Sequence, residues 1–321
     1  MKILFAGTPD IAVPSLRFLA QSGHTVALLT QPDQPGKRGR DLVAPPTKVF
    51  AGEQGLKVYQ PNVLNTQFRR ELENWGPDLL ISFAFGKIFG PLFLALFPKG
   101  GWNLHPSLLP RFRGPSPLSA VLLAGDEQTG ITLQTLAHEM DSGDILLQII
   151  KKLDGHETTQ KLSDWAAQEG AALLQRALTK LEEGELISEP QKGEPSYCSL
   201  TTSSQARIDW NNPSHILDRQ IRAYNPWPGA RTQWKNQELL IWSASPWTGI
   251  LPSESLLIDS KPGLVLGVDK TGGILVQTGE GILAIRTLQL AGKKVLDHRS
   301  FLNGAPDLVG SQWGSDPEKS T

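Results

Sequence analysis

Three pieces near the start decide the fold: Ile3-Leu4-Phe5-Ala6-Gly7-Thr8-Pro9-Asp10, Pro14-Ser15-Leu16-Arg17-Phe18-Leu19-Ala20 and Val26-Ala27-Leu28-Leu29-Thr30. The outer two carry short, unbroken apolar runs, as strands buried on both faces do. The middle piece has helical spacing, and Gly23 can end its helix. Strand, helix and strand within roughly 30 residues make a βαβ unit, and hence a parallel sheet covered by helices. Leu79 to Phe83 and Gly101 to Leu104 continue that sheet. Ile131 to Leu136 and Ile145 to Ile150 read as later strands on either side of a loop. Ser163 to Glu182 reads as a helix, with Trp165, Ala166, Leu173, Leu174, Ala177, Leu178 and Leu181 near the helical period.

Between Gly184 and about Gln205 the character changes to Pro190, Gly193, Pro195 and polar residues without periodicity, the mark of a linker. A helix follows from Arg207, with Ile216, Leu217, Ile221 and Ala223. Short β-type runs come after it at Leu239 to Trp242, Leu264 to Val268, Ile274 to Gln277 and Leu283 to Leu288, separated by Gly-rich turns. The expected class is therefore α/β. It comprises an N-terminal Rossmann-like domain with a mostly parallel sheet over residues 1–188, then a linker over 189–205. A small OB-like β-barrel over 206–313 and a flexible tail over 314–321 complete it.

Hydrophobic residues make up 39% and charged residues 20% of the 321, and the net charge is −1. Bulk charge thus gives no reason to expect a nucleic acid or membrane partner, and any polyanion contact must come from a local patch. The single cysteine, Cys198, permits no internal disulfide and fits a reducing compartment. No apolar run approaches a membrane span, and Met1 to Gly7 lacks the apolar region of a signal peptide. A cytoplasmic monomer that binds no membrane is expected. The six histidines, His24, His105, His138, His156, His215 and His298, form no metal-ligand spacing, so no metal site is expected.

The chemistry concentrates in Asn103-Leu104-His105-Pro106-Ser107-Leu108-Leu109-Pro110 and in Met140-Asp141-Ser142-Gly143-Asp144. On a strand, residues i and i+2 share a face, so Asn103 and His105 can aim at one reacting atom. A carboxamide N–H and an imidazolium are suitable donors for the oxyanion formed when an amine attacks an acyl carbonyl. A carboxylate beside the imidazole would raise its pKa and orient it. Asp141 and Asp144 are both placed for this, and spacing alone does not rank them. With no Ser or Cys nucleophile in the set, the pattern implies acyl transfer to an amine supplied by the substrate.

Other segments read less sharply. Gly7-Thr8-Pro9 lacks the dinucleotide-binding glycine pattern, which argues against a nucleotide phosphate site there. Gln31 to Leu42, with Lys37, Arg38 and Arg40 among prolines and glycines, reads either as a solvated loop or as a finger for a phosphate-rich ligand. Lys293-Lys294 could touch phosphate, and Trp227 between Pro226 and Pro228 reads either as core packing, the favoured reading, or as a stacking platform.

At these residues the chain resembles the methionyl-tRNA formyltransferases, within the wider folate-dependent formyltransferases. The likeness is carried by Phe5 to Asp10, Gln31-Pro32-Asp33, Asn103 to Pro110, Arg113-Gly114 and Asp141 to Asp144. It continues through Ala206-Arg207-Ile208-Asp209-Trp210, Arg222 to Pro228 and Ala291 to Lys294. It implies formyl transfer from 10-formyltetrahydrofolate to the methionine α-amine on initiator methionyl-tRNA. Catalytic roles for Asn103, His105 and Asp141 are implied, which chooses between the aspartates. The resemblance also implies folate contacts along Ser107, Leu108, Leu109 and Pro110, with the pterin near Phe83 to Ile88, including Phe85 and Gly86. It implies tRNA contacts at Lys37, Arg38, Arg40, Lys293 and Lys294. The chain departs from the common pattern at Pro106, at Phe89-Gly90-Pro91 and at Leu290.

Overall fold

A computed structural model describes residues 1–36, 41–249 and 260–314. The chain divides into two compact units. Residues 1–117, 127–153 and 161–199 form the first; 118–126, 154–160 and the chain from 200 on form the second.

The opening βαβ unit is β1 (Lys2–Gly7), α1 (Val13–Gln21) and β2 (Thr25–Leu29). A two-residue ladder pairs β3 (Gln34–Pro35) with β4 (Leu42–Val43). Then come α2 (Pro46–Glu53), β5 (Lys57–Tyr59), α3 (Thr66–Trp75), β6 (Leu79–Phe83), α4 (Pro91–Leu94) and β7 (Gly101–His105). α5 (Pro117–Ala124), β8 (Gln128–Thr135), β9 (Ile145–Lys152) and α6 (Thr159–Glu183) follow.

Seven strands lie in the order β5-β2-β1-β6-β7-β8-β9. Pairing is parallel from β5 to β7 and antiparallel for β7–β8 and β8–β9. The chain leaves β1 toward β2 and β5 on one side and returns on the other side as β6 and β7. The carboxyl ends of β1 and β6 therefore meet at a topological switch point, where open α/β sheets hold ligands.

One face of the later strands is apolar and covered. Leu104, Ile131 and Leu133 share a core with Leu173, Leu174, Ala177 and Leu178 of α6, residues that recur every three or four positions along one helix face. Gly170 sits where that helix packs closely on the sheet. A Cβ there would lie 3.1 Å from the Phe83 ring and 3.2 Å from Ile131. Asn65 caps α3, its side-chain oxygen accepting the Phe68 N–H at 2.9 Å.

The second unit contains α7 (Ser214–Ala223), β10 (Ala230–Trp234), β11 (Gln237–Pro246), β12 (Val265–Asp269), β13 (Gly273–Gln277), β14 (Ile282–Leu290), β15 (Leu296–Asp297) and α8 (His298–Leu302). Its strands form an antiparallel sheet in the order β10-β11-β14-β13-β12, with β15 on β14. Among the described residues the pairings run as an open path, and its inner face encloses one core of Trp210, Leu217, Ile221, Trp234, Ile241, Ile285 and Trp313. The Trp210 indole N–H donates to the Thr232 hydroxyl at 2.9 Å, with both groups buried.

Several features differ from expectation. β10 has no counterpart in the sequence reading, because Ala-Arg-Thr-Gln-Trp carries only two apolar residues. Its alternation emerges once Thr232 is counted as buried. Trp227 does not pack; it is 60% exposed, and Trp210, Trp234 and Trp313 fill the core instead. Residues 118–126 and 154–160 group with the second unit rather than the first. There the Thr159 hydroxyl donates to the Ala223 carbonyl at 2.6 Å. Residues 189–199, polar and aperiodic enough to read as a linker, belong to the first unit. Ile145 and Glu189 exchange both main-chain hydrogen bonds, at 2.7 and 2.9 Å. Lys37, Arg38 and Arg40, and the tail beyond Gly314, lie outside the described residues.

Two stability predictions follow from these contacts. Asn65→Ala removes the α3 cap and should lower the unfolding free energy by about 1 kcal/mol in urea titration, with activity unchanged. Thr232→Val keeps the volume but strands the Trp210 N–H, and should cost about 1–3 kcal/mol by the same measurement.

Candidate active site

The antiparallel register of β7 on β8 and of β8 on β9 builds the site. Asn103 lies opposite Gln134, His105 opposite Thr132, and Thr132 opposite Gln148. These five polar side chains therefore share one face of three adjacent strands, the face turned away from α6. Thr132 and Gln134 are fully buried. Buried polar groups need partners, and here each serves the loops above the strand ends.

Thr132 and Gln148 hold the loop after His105. The Thr132 hydroxyl donates to the Ser107 carbonyl at 2.7 Å and accepts from the Leu109 N–H at 3.3 Å and the Gln148 amide at 2.8 Å. Ser107 is itself wholly buried, its hydroxyl donating to the Arg111 carbonyl at 2.6 Å. Leu109 is buried, and Leu108 packs over Gly130 of β8. Of the expected folate contacts along Ser107 to Pro110, then, the Ser107 and Leu109 side chains are committed to the protein. The Leu108 and Pro110 side chains are only partly buried. Phe85 is similar. Its ring is buried and stacked on Phe89 at 5.4 Å, while its carbonyl accepts from the Gln31 amide at 2.9 Å. Gly86 follows with φ +82°.

Asp141 closes the site. Its Oδ1 accepts from the Gln134 amide at 3.0 Å and the Asn103 amide at 3.3 Å. Its Oδ2 accepts the Gly114 N–H at 2.8 Å and faces His105 Nδ1 at 3.5 Å. Asn103 and His105, paired by strand periodicity, and Asp141, chosen through the family resemblance, are thus in one cluster. Asp144 instead enters the strand ladder through its main chain, receiving the Thr135 N–H on its carbonyl. Asp141 adopts φ +53°, a left-handed conformation that a non-glycine residue reaches at some cost. Gly143 passes so close to β8 that a Cβ would sit 1.8 Å from the Thr135 carbonyl oxygen.

His105 is 4% exposed, and its other nitrogen, Nε2, lies 2.8 Å from the Phe112 carbonyl. Burial pushes its pKa below the ordinary 6.5, against the opposing pull of the Asp141 carboxylate and the Phe112 carbonyl. That burial disfavours the imidazolium expected from sequence. In the neutral ring the 2.8 Å contact places the proton on Nε2, which leaves Nδ1 as the basic nitrogen toward Asp141. Phe112, at φ +57°, is held by the Ser196 hydroxyl, which accepts its N–H at 2.9 Å. The Cys198 N–H donates to the Arg113 carbonyl at 2.8 Å, and burial raises the Cys198 thiol pKa.

Sequence reasoning missed Gln134, Thr132, Gln148, Gln191 and the Phe112 carbonyl. The signal for the first two was present as polar residues alternating with Ile131 and Leu133. Lys293 and Lys294 lie in the exposed turn between β14 and β15. Among the described residues no group of three or more His, Cys, Asp or Glu is placed to hold a metal, and no helix is long and apolar enough to cross a membrane.

The comparisons with known proteins agree in kind. Residues 1–178 match the formyl transferase model and residues 201–306 the formyl transferase C-terminal domain model. The chain is 41% identical over 318 residues to the methionyl-tRNA formyltransferase of Treponema denticola, covering 96% of this chain and 98% of that one. It is 40% identical over 321 residues to the Methylobacillus flagellatus protein of the same name, covering 98% and 100%. Among solved structures it is similar to WlaRD, described as a sugar 3N-formyl transferase, with TM-score 0.65 at 18% identity, covering 92% of this chain and 99% of that one. It is also similar to HypX from Aquifex aeolicus in complex with tetrahydrofolic acid, with TM-score 0.65 at 18% identity, covering 96% of this chain and 48% of that one. At these identities the two structures speak to the fold alone. Both halves of the chain and its full-length relatives place this protein in the formyl transferase family.

Proposed function

We propose that this protein transfers the formyl group of 10-formyltetrahydrofolate to the α-amine of methionine on initiator methionyl-tRNA. The observation that carries the reading is the convergence of Asn103, His105 and Asp141 in a chain matched end to end by methionyl-tRNA formyltransferases. A tetrahydrofolate-bound neighbour of the same fold supports the choice of donor. The site suits such a donor. It is an amide, an imidazole and a carboxylate beside an irregular loop at strand carboxyl ends.

The transfer is direct. The amine of the charged methionine attacks the formyl carbon, and negative charge gathers on the formyl oxygen. One Asn103 amide N–H is directed to Asp141, and the second is available for that oxygen. Such a donor typically lowers the barrier by about 3 kcal/mol. The attacking amine must lose a proton. Neutral His105 takes it at Nδ1, and Asp141 stabilises the resulting imidazolium. Burial keeps the imidazole unprotonated beforehand, and the carboxylate limits how far its basicity falls. Lys37, Arg38 and Arg40, with Lys293 and Lys294, supply candidate cations for the tRNA phosphates.

The deciding experiment compares formyl transfer to methionyl initiator and methionyl elongator tRNA. Formylation of the initiator alone is expected. No transfer to either, by folded protein with folate bound, would move the acceptor to a small amine or to water. Asn103→Ala and Asp141→Asn should each lower kcat by roughly two orders of magnitude with the fold intact, as measured by single-turnover kinetics and circular dichroism. The pH profile carries a sign. The active imidazole is neutral, so kcat should fall as pH drops through a midpoint below 6.5. Asp141→Asn removes the influence that raises the His105 pKa, and should move that midpoint still lower.

A further inference from the structure

Gln191 lies in the stretch that composition marks as a tether, yet its side chain makes the densest set of hydrogen bonds near the site. Its Nε2 donates to the Asp141 carbonyl at 2.8 Å and the Gly143 carbonyl at 2.8 Å, and approaches Gln134 Oε1 at 3.3 Å. Its Oε1 accepts from Arg113 Nε at 3.1 Å and Nη2 at 2.7 Å. The amide orientation is determined by these partners. Reversed, it would set an oxygen against two carbonyls and an N–H against a guanidinium.

These contacts join the two sides of the carboxylate. On one side, Gly114, next to Arg113, gives its N–H to Asp141 Oδ2. On the other, Asp141 sits at φ +53° in a loop that Gly143 threads against β8. A side chain bound to both Asp141 and Gly143 carbonyls holds that costly backbone turn in place. Resting on the functional reading above, we infer that Gln191 is a positioning residue for formyl transfer: it clamps the Asp141–Gly143 main chain to Arg113 and so fixes the Asp141 carboxylate beside His105. Gln191 has no part in the chemistry itself and acts through Asp141. The charged and titratable groups around the pair include Asp141, His105, Arg113, the Tyr197 phenol on Arg113 and the Cys198 thiol.

The test compares wild type, Gln191→Leu and Gln191→Glu as full-length proteins. It measures kcat, KM for both substrates, the pH profile of kcat and the His105 titration by NMR. Gln191→Leu should lower kcat by about tenfold or more, as loss of an orienting partner typically does, while both KM values stay nearly constant. Its His105 titration and acid limb should move to lower pH, because Asp141 is no longer held against the imidazole. In an Asp141→Asn background, Gln191→Leu should add little further loss. Gln191→Glu keeps an acceptor for Arg113 but sets a carboxylate against two carbonyls. It should remain impaired, with the His105 titration moved upward by the added negative charge.

Wild-type kcat and an unmoved His105 titration in either folded variant overturn the inference, as does full additivity with Asp141→Asn. The NMR titration decides without turnover. A wild-type protein that fails to formylate methionyl-tRNA overturns the functional reading instead.

Discussion

The Asp141 carboxylate is the constraint around which the first unit is arranged. It is an anion with little access to water, its side chain 11% exposed, so it must be satisfied by protein donors. Gln134, Asn103 and the Gly114 N–H provide them. Each requirement propagates outward. Asn103 and Gln134 can reach one oxygen only because β7 and β8 pair in one register. The Gly114 N–H arrives only because the preceding loop is pinned by Ser196 and Cys198. A carboxylate this well held does not wander, and the imidazole beside it meets the same field at every turnover.

Beneath the carboxylate the sheet divides its labour by face. Leu104, Ile131 and Leu133 point into the core with α6, while the residues alternating with them carry the polar network. The period of a strand is two, so a slip of β8 by one residue against β7 would turn Leu133 toward the site and drive Thr132 and Gln134 into the core. Apolar packing under α6 therefore defends the register, and the register in turn defends the chemistry. Stability and catalysis are coupled through geometry without sharing residues.

How much of this was readable in advance follows the same division. The βαβ opening, the strand ending in His105 and the α6 helix are local patterns of apolar residues, and they appeared where the pattern put them. Asn103 and His105 were paired by strand periodicity alone. Asp141 needed the family resemblance to be preferred over Asp144, because the choice depends on which loop residue takes a left-handed turn. What stayed hidden was long-range. Gln191 joins Asp141 across the fold, and nothing in a polar, proline-containing stretch distinguishes a clamp from a tether. The burial of His105 was also hidden. Sequence shows the neighbouring carboxylate but not the depth of burial, and burial dominates. β10 and Trp227 err in opposite directions for one reason: a buried threonine and an exposed tryptophan both run against composition.

The single cysteine has a practical consequence. Cys198 stands beside the Phe112–Gly114 loop, half-buried, with its thiol sulfur 3.4 Å from the Arg113 carbonyl. Because burial raises its pKa, little of it is thiolate near neutral pH, and an alkylating reagent reacts with it slowly. A chain with one thiol at this position carries its own clock. The rate at which a maleimide consumes it reports on the loop whose Phe112 carbonyl meets both this thiol and the His105 imidazole, with no label to introduce and no second site to subtract.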